Sequence, residues 1–121
     1  MRERERQMAR KKLDKEMKYY RWAGKEKKPT LGLLRAVRLA LGIPVAEMLR
    51  DLDVNPSVLF RLELSERRGT ISLRTAGRVA QAMGCQLVYA VVPRDGKTLE
   101  DLAEKRLWAK VLGTRDQGLR D

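Results

Sequence analysis

Residues 31–64, LGLLRAVRLALGIPVAEMLRDLDVNPSVLFRLEL, decide the fold. The stretch holds three amphipathic segments cut by single turns: Leu31 to Leu41, Pro44 to Leu52 and Pro56 to Leu64, each with apolar residues at helical spacing. In the first, Leu34, Val37, Ala40 and Leu41 share one side. In the second, Val45, Met48, Leu49 and Leu52 do. In the third, Leu59 and Leu62 must turn inward, which points Pro56, Ser57, Phe60 and Arg61 outward. Gly42 stands where helices end in a left-handed residue, and Pro44 opens the next helix at a position where a missing N–H costs nothing. Asp53, Val54 and Asn55 are the whole connection between the second and third segments. Asp53 is expected to be left-handed there, and Asn55-Pro56 reads as N-cap plus first helical residue. Two helices joined so tightly bury one side of each and leave one face of the second free.

Downstream, Ser65 to Thr70 reads as a polar, glycine-containing loop carrying Arg67 and Arg68. Ser72 can cap a fourth helix running through Met83, with Val79, Ala80 and Met83 inward and Gly84 ending it. Cys85 to Val92, CQLVYAVV, is β-branched, aromatic and bounded by Gly84 and Pro93, which predicts a strand. No second strand is visible. Unpaired edges invite another chain, so Leu87, Val88, Tyr89, Ala90 and Val91 are expected to pair across a two-fold axis with the same residues of a second copy. The plainer alternative is an extended tail lying on the helices. Asp95-Gly96 makes a turn and Thr98 a cap. Residues 99 to about 112 form a last helix with Leu99, Leu102, Ala103, Leu107 and Val111 on its apolar side.

Upstream, residues 1–30 carry 12 Lys and Arg against 5 Asp and Glu. Ala9, Leu13, Met17 and Tyr20 line up on a helix there, before a Lys-rich linker from Gly24 to Thr30. This is either a basic arm that tracks phosphates or a helix that docks its stripe on the core or on a second copy. The chain so read has four parts: residues 1–30, a basic helix and linker; 31–84, a helix-turn-helix domain; 85–113, the strand and last helix; and 114–121, a polar tail.

With 121 residues there is room for one domain and an arm at each end, and 43% hydrophobic residues suffice for a small core. A formal net charge of +11 favours a polyanionic partner, nucleic acid first and an anionic membrane surface second, and with the tight helix-turn-helix the nucleic acid expected is double-stranded DNA. The bland reading is a surface that merely happens to be basic. No run approaches the roughly 18 apolar residues of a membrane span, and the N-terminus lacks the apolar centre of a signal peptide. The single cysteine, Cys85, forms no internal disulfide and suits a reducing cytoplasm. With no histidine and one cysteine, neither a zinc site nor the usual nucleophile–base pair can be assembled. The expectation is a cytoplasmic protein that is not an enzyme and takes no cofactor.

The run LLRAVRLALGIPVAEMLRDLDVNPSVLFRLE resembles the helix-turn-helix of the Cro/repressor-like superfamily. The segments ARKKLD, LRAVRLALG, SERRGTISLRT and GCQLVYAVVP are similar to the family called mobile mystery protein A, over about residues 9 to 112. The resemblance implies a mainly α protein: a five-helix Cro/repressor-like domain with an added N-terminal helix, one short strand and a C-terminal helix. It also implies a repressor-type, antitoxin-like regulator of a mobile-element operon, one that touches a Fic-domain partner; the homodimer is the expectation of the unpaired strand.

On that pattern Arg38 and Glu63 form a structural ion pair, and Pro56, Ser57, Phe60 and Arg61 meet base edges. Arg61 could take both N7 and O6 of guanine, Ser57 could donate to a phosphate or a base, and Phe60 could meet a thymine methyl or mark a protein interface. Arg35, Asn55, Arg67, Arg68, Lys25, Lys27 and Lys28 are the phosphate contacts. If about six of these cations neutralise phosphates, log K should fall against log salt with a slope near −5. Four residues depart from the superfamily pattern: Val45 replaces a phosphate-binding Gln, Leu49 a small Ala, Asp53 the turn glycine and Pro56 a polar base reader. The rival expectation is a protein-binding module of the same shape, using Phe60 and the stripe of residues 9–20 to hold a Fic-domain partner, with weak nonspecific DNA binding.

Overall fold

The computed structural model describes residues 2–24 and 31–113. They are mainly helical: α1 (Glu3–Glu16), α2 (Lys18–Ala23), α3 (Leu33–Ala40), α4 (Val45–Leu52), α5 (Pro56–Arg68), α6 (Leu73–Ala82) and α7 (Leu99–Val111), with a 3-10 turn over Arg94–Gly96. None of these helices is long and apolar enough to cross a membrane. By its contacts the chain divides into two units, Met1–Lys27 with Ala90–Asp121, and Lys28–Tyr89.

The second unit is built from α3 to α6. The buried core is Leu34, Met48, Leu52, Leu59, Ala76, Val79, Ala80 and Met83, with Val45, Leu49 and Leu62 packed against it. The helical periods read from the sequence supply most of these residues. Ala40 and Leu41 are exposed instead of buried. Leu41 is the C-cap of α3, beyond the last turn that packs on α5 and α6, and Ala40 points away from the Leu34–Arg38 side. Pro44 is the N-cap of α4, one position earlier than expected.

All four helices of this unit end the same way. The N–H two or three residues past the helix reaches back five residues, and the N–H before it reaches back three: Ile43 to Arg38 and Gly42 to Leu39, Val54 to Leu49 and Asp53 to Arg50, Thr70 to Ser65 and Gly69 to Glu66, Cys85 to Ala80 and Gly84 to Gln81. These paired bonds satisfy carbonyls that the helix leaves open, and they need a left-handed residue at the turn. Glycine supplies it at three ends; at the α4–α5 turn it is Asp53, at φ 55 and ψ 53. An L-residue pays for that conformation, and a carboxylate also faces the negative end of the α4 dipole.

The expected loop at Ser65 to Thr70 is helical as far as Arg68. The Ser65 hydroxyl donates to the Leu62 carbonyl at 2.9 Å, Glu66 turns toward α3, and the first left-handed residue is Gly69. Arg67 and Arg68 therefore lie on the last turn of α5.

The expected strand over 85–92 is not formed. The segment has no regular secondary structure, and no strand occurs among the described residues. A strand exists only against a ladder partner, and the described residues offer none. From Gln86 to Val92 no backbone hydrogen bond forms among the described residues, while Cys85 bonds back to Ala80.

In the first unit α1 packs on α7. The Asp14 carboxylate of α1 accepts from the N–H groups of Leu99 (2.8 Å) and Glu100 (3.3 Å), so one helix caps the start of the other. Thr98 and Asp101 add a reciprocal capping box at the same end. Hydrogen bonds from Thr98, its backbone N–H foremost, hold the Asp101 carboxyl below its ordinary range. Arg10 bridges Glu100 at 2.6 Å and Glu3 at 3.1 Å.

The single N-terminal helix expected from sequence is two, broken at Met17. Ala9, Met17 and Tyr20 are half-buried, whereas Leu13 is exposed. Leu107 and Val111, expected on the inner side of α7, are exposed together with Trp108 and Leu112, because the covered residues of α7 gather near its start.

Replacing Asp53 with Gly should raise unfolding stability by about 0.5–1 kcal/mol, as the left-handed strain is relieved and part of the gain is lost to unfolded-state entropy. The measurement is a urea midpoint at unchanged m-value. A lower midpoint would mean that the Asp53 side chain stabilises the turn.

Candidate nucleic-acid interface

The face of α5 is set at its first turn. Asn55 is the N-cap, its Oδ1 accepting from the Val58 N–H at 3.0 Å, and Pro56 fixes the first helical residue. Leu59 is fully buried, Leu62 packs against the core and Glu63 is buried. What is left outward is Pro56, Ser57, Phe60 (55% exposed), Arg61 and Leu64, followed one turn on by Arg67 and Arg68, all of them exposed.

Two carboxylates lock α5 in that rotation. Arg38 of α3 donates through Nε to Glu63 Oε2 at 2.7 Å and through Nη2 to Glu63 Oε1 at 3.1 Å, with both residues buried. This bidentate bond raises the Arg38 guanidinium above its ordinary pKa, outweighing the opposing effect of burial. One turn later Glu66 Oε1 accepts from the Leu34 N–H at 2.6 Å, capping α3, whose own N-cap Gly32 has no side chain to do so. Gly32 sits at φ 85, where an added Cβ would come within 3.0 Å of the Arg67 Cβ, so glycine here lets α3 start against the last turn of α5.

Both acids of α5 therefore face α3, and its outward face carries cations alone. Between residues 31 and 89 the sequence has eight Arg and no Lys, against five Asp and Glu. Arg35, Arg61, Arg67 and Arg68 are exposed, and none of their guanidinium groups makes a hydrogen bond or ion pair among the described residues. Their spacing is wider than a single cluster. Arg61 and Arg68 are seven residues apart on one helix, about 10 Å along its axis. Lys25, Lys27 and Lys28, the other expected phosphate contacts, lie outside the described residues.

The residues that depart from the superfamily pattern have local work here. Val45 begins α4 and Leu49 follows a turn later, both packed against the core, and neither offers a donor. Asp53 makes the left-handed turn and Pro56 the helix start. Two features of this surface escaped the sequence reading. Leu64 continues the outward row one turn beyond Phe60, which the four-residue spacing could have revealed. The bond from Ser57 Oγ to Asn55 Oδ1, at 2.7 Å, has no sequence signal.

Of the residues expected to pair two copies, Leu87 packs against the core and Ala90 is half-buried, while Val88, Tyr89 and Val91 are exposed, Val91 by 84%. Comparisons of the chain with protein-family models, with curated proteins and with solved structures find no match.

Glu63→Gln should cost about 3–5 kcal/mol in chemical denaturation, because it keeps the shape and leaves the buried Arg38 charge without its counterion. Replacing both partners with apolar residues, Arg38→Met with Glu63→Leu, should cost much less. A Glu63→Gln loss below about 1 kcal/mol would show that the pair does not hold α5 in place.

Proposed function

We propose that this chain is a sequence-specific, double-stranded-DNA-binding transcriptional regulator. In this reading α4, its three-residue turn and α5 form a helix-turn-helix of the Cro/repressor type, and α5 enters the major groove. The observation that carries it is the outward face of α5: an exposed row of Ser57, Phe60, Arg61 and Leu64, with Arg67 and Arg68 beyond and both carboxylates turned inward. Arg61 is placed to take guanine N7 and O6, Phe60 and Leu64 to meet thymine methyls, and Arg35, Asn55, Arg67 and Arg68 to meet phosphates. The resemblance to the mobile mystery protein A family supports a cytoplasmic, antitoxin-like operon repressor that performs no catalysis and needs no cofactor.

Residues 86–92, with bulky side chains and an unpaired backbone, support a homodimer joined by antiparallel pairing of this segment. A two-fold dimer would present its α5 helices about 34 Å apart, in successive major grooves. One observation favours a second reading, in which the chain holds a protein such as a Fic-domain partner. The first unit exposes Tyr19, Trp22, Leu107, Trp108 and Val111, large apolar and aromatic side chains of the kind enriched at protein interfaces.

Mobility shifts with the DNA upstream of the protein's own gene, at several salt concentrations and with competitor DNA, test the proposal. The expected result is specific binding whose log K falls with log salt at a slope near −5, for about six phosphates. Arg61→Ala should lower the specific-to-nonspecific ratio by about 1–3 kcal/mol, and Arg68→Ala should reduce the slope by about 0.9 with little change in that ratio. If Arg61→Ala leaves the ratio unchanged, Arg61 is not the reader. Binding that is weak and blind to sequence, beside co-purification of a neighbouring gene's product, selects the second reading.

A further inference from the structure

We infer that Ser57 reads its base pair as a hydrogen-bond acceptor, selecting the exocyclic amino group of adenine (N6) or cytosine (N4). The inference rests on the DNA-binding reading above and adds the chemistry of one contact within it.

The argument turns on one oxygen. Asn55 Oδ1 lies 3.0 Å from the Val58 backbone nitrogen and 2.7 Å from Ser57 Oγ. A backbone N–H can only donate, so the amide atom facing it is the carbonyl oxygen and not the NH2 group. That fixes the orientation of the Asn55 amide. The contact between Oδ1 and Ser57 Oγ is then oxygen to oxygen at hydrogen-bond distance, and it needs a proton. Ser57 holds the only one available, so its hydroxyl donates to Asn55.

A serine hydroxyl has a single hydrogen, and here the helix cap has taken it. What Ser57 presents outward from the exposed first turn of α5 is the remaining lone pairs of Oγ. On the major-groove edges N7, O6 and O4 all accept, and the donors are N6 of adenine and N4 of cytosine. A serine with a free rotor suits either kind of edge. This one has been given a sign.

The same geometry assigns the donors. With Oδ1 committed to the cap, the Asn55 Nδ2 group points its two hydrogens elsewhere and has no partner among the described residues. Pro56 has no N–H, and the Ser57 N–H is likewise unpartnered there. The start of α5 thus offers donors suited to a phosphate beside an acceptor suited to a base.

The test uses the full chain and duplexes selected from a random pool. In the selected site each adenine is replaced singly by 2-aminopurine, which pairs with thymine but lacks the N6 amino group, and each cytosine by 2-pyrimidinone, which lacks N4. At one position the analogue should weaken the wild type about five- to tenfold and leave Ser57→Ala unaffected, the coupling that marks a shared hydrogen bond. Asn55→Gly keeps most of the N-cap stability and frees the Ser57 proton, so selection at that position should relax to admit guanine and thymine. If the Ser57-dependent position instead requires guanine N7 or O6, or thymine O4, the hydroxyl donates and the inference fails while the regulator reading stands. If no position couples to Ser57, the inference also fails. If the pool yields no enriched sequence, both fail.

Discussion

The buried pair of Arg38 and Glu63 decides which side of α5 the rest of the world can meet. α5 has a single fully buried apolar side chain, Leu59, with Leu62 partly covered. Burial of one or two such side chains contributes about 1.5–3 kcal/mol each and does little to fix the rotation of a helix. A planar guanidinium on a planar carboxylate does fix it, because both bonds hold only in one relative orientation. Charges taken out of water cost several kcal/mol each, and here the cost is offset by complete pairing: no buried side-chain nitrogen or oxygen among the described residues lacks a partner. The Glu66 bond to the Leu34 N–H adds a second point one turn along. The outward face then follows by subtraction, and its charge with it, since the carboxylates that fix the helix are the ones that would have neutralised its surface.

Charge available to a partner differs from charge counted along the chain. Residues 1–30 supply a large share of the formal excess, yet Arg10 is held between Glu3 and Glu100, and Arg21 lies 3.9 Å from Asp14 while donating to the Asp14 carbonyl. In the helical unit of residues 28–89 the balance is modest, but Arg38 is the only cation that enters an ion pair among the described residues. Between residues 31 and 89 the cations are all Arg, the side chain whose planar fork suits phosphates and guanine edges and is weakly hydrated for its charge. Arrangement carries more functional information here than net charge does.

What could be read from the sequence follows the reach of each signal. The α4–α5 turn was legible because Asp53 and Asn55-Pro56 encode local backbone conformations, and the short period of Leu59 and Leu62 marks the inward side of α5. The Arg38–Glu63 pair was legible only through resemblance; nothing in a spacing of 25 residues announces an ion pair. The extension of α5 to Arg68 was hidden, because Ser65 and Glu66 look like loop residues until their partners, the Leu62 carbonyl and the α3 N-terminus, are in place. The half-exposed α7 was misread for a related reason. Its apolar period is real, but period states which residues share a side and not whether anything covers that side. The Ser57–Asn55 bond needs coordinates outright, since two adjacent polar residues at a helix start have several ways to pair.

The missing strand belongs to the same class of problem, and it bears on how this protein would find DNA. A segment such as QLVYAVV is β-prone because branched and aromatic side chains pack well on a pleated surface, not because its backbone is extended in isolation. In one chain its N–H and C=O groups meet water, so leaving them unpaired costs little, and a short lone ladder would gain little. A second copy changes the balance. Pairing two identical segments would satisfy the facing edge of each backbone and set Val88, Tyr89 and Val91, all exposed in the single chain, beside the side chains of their copies. Since that pairing would also fix the distance between two α5 helices, dimer geometry and DNA spacing become one constraint. On the proposed pairing, the segment that looks least organised in the single chain would set which half-site separation the pair can read.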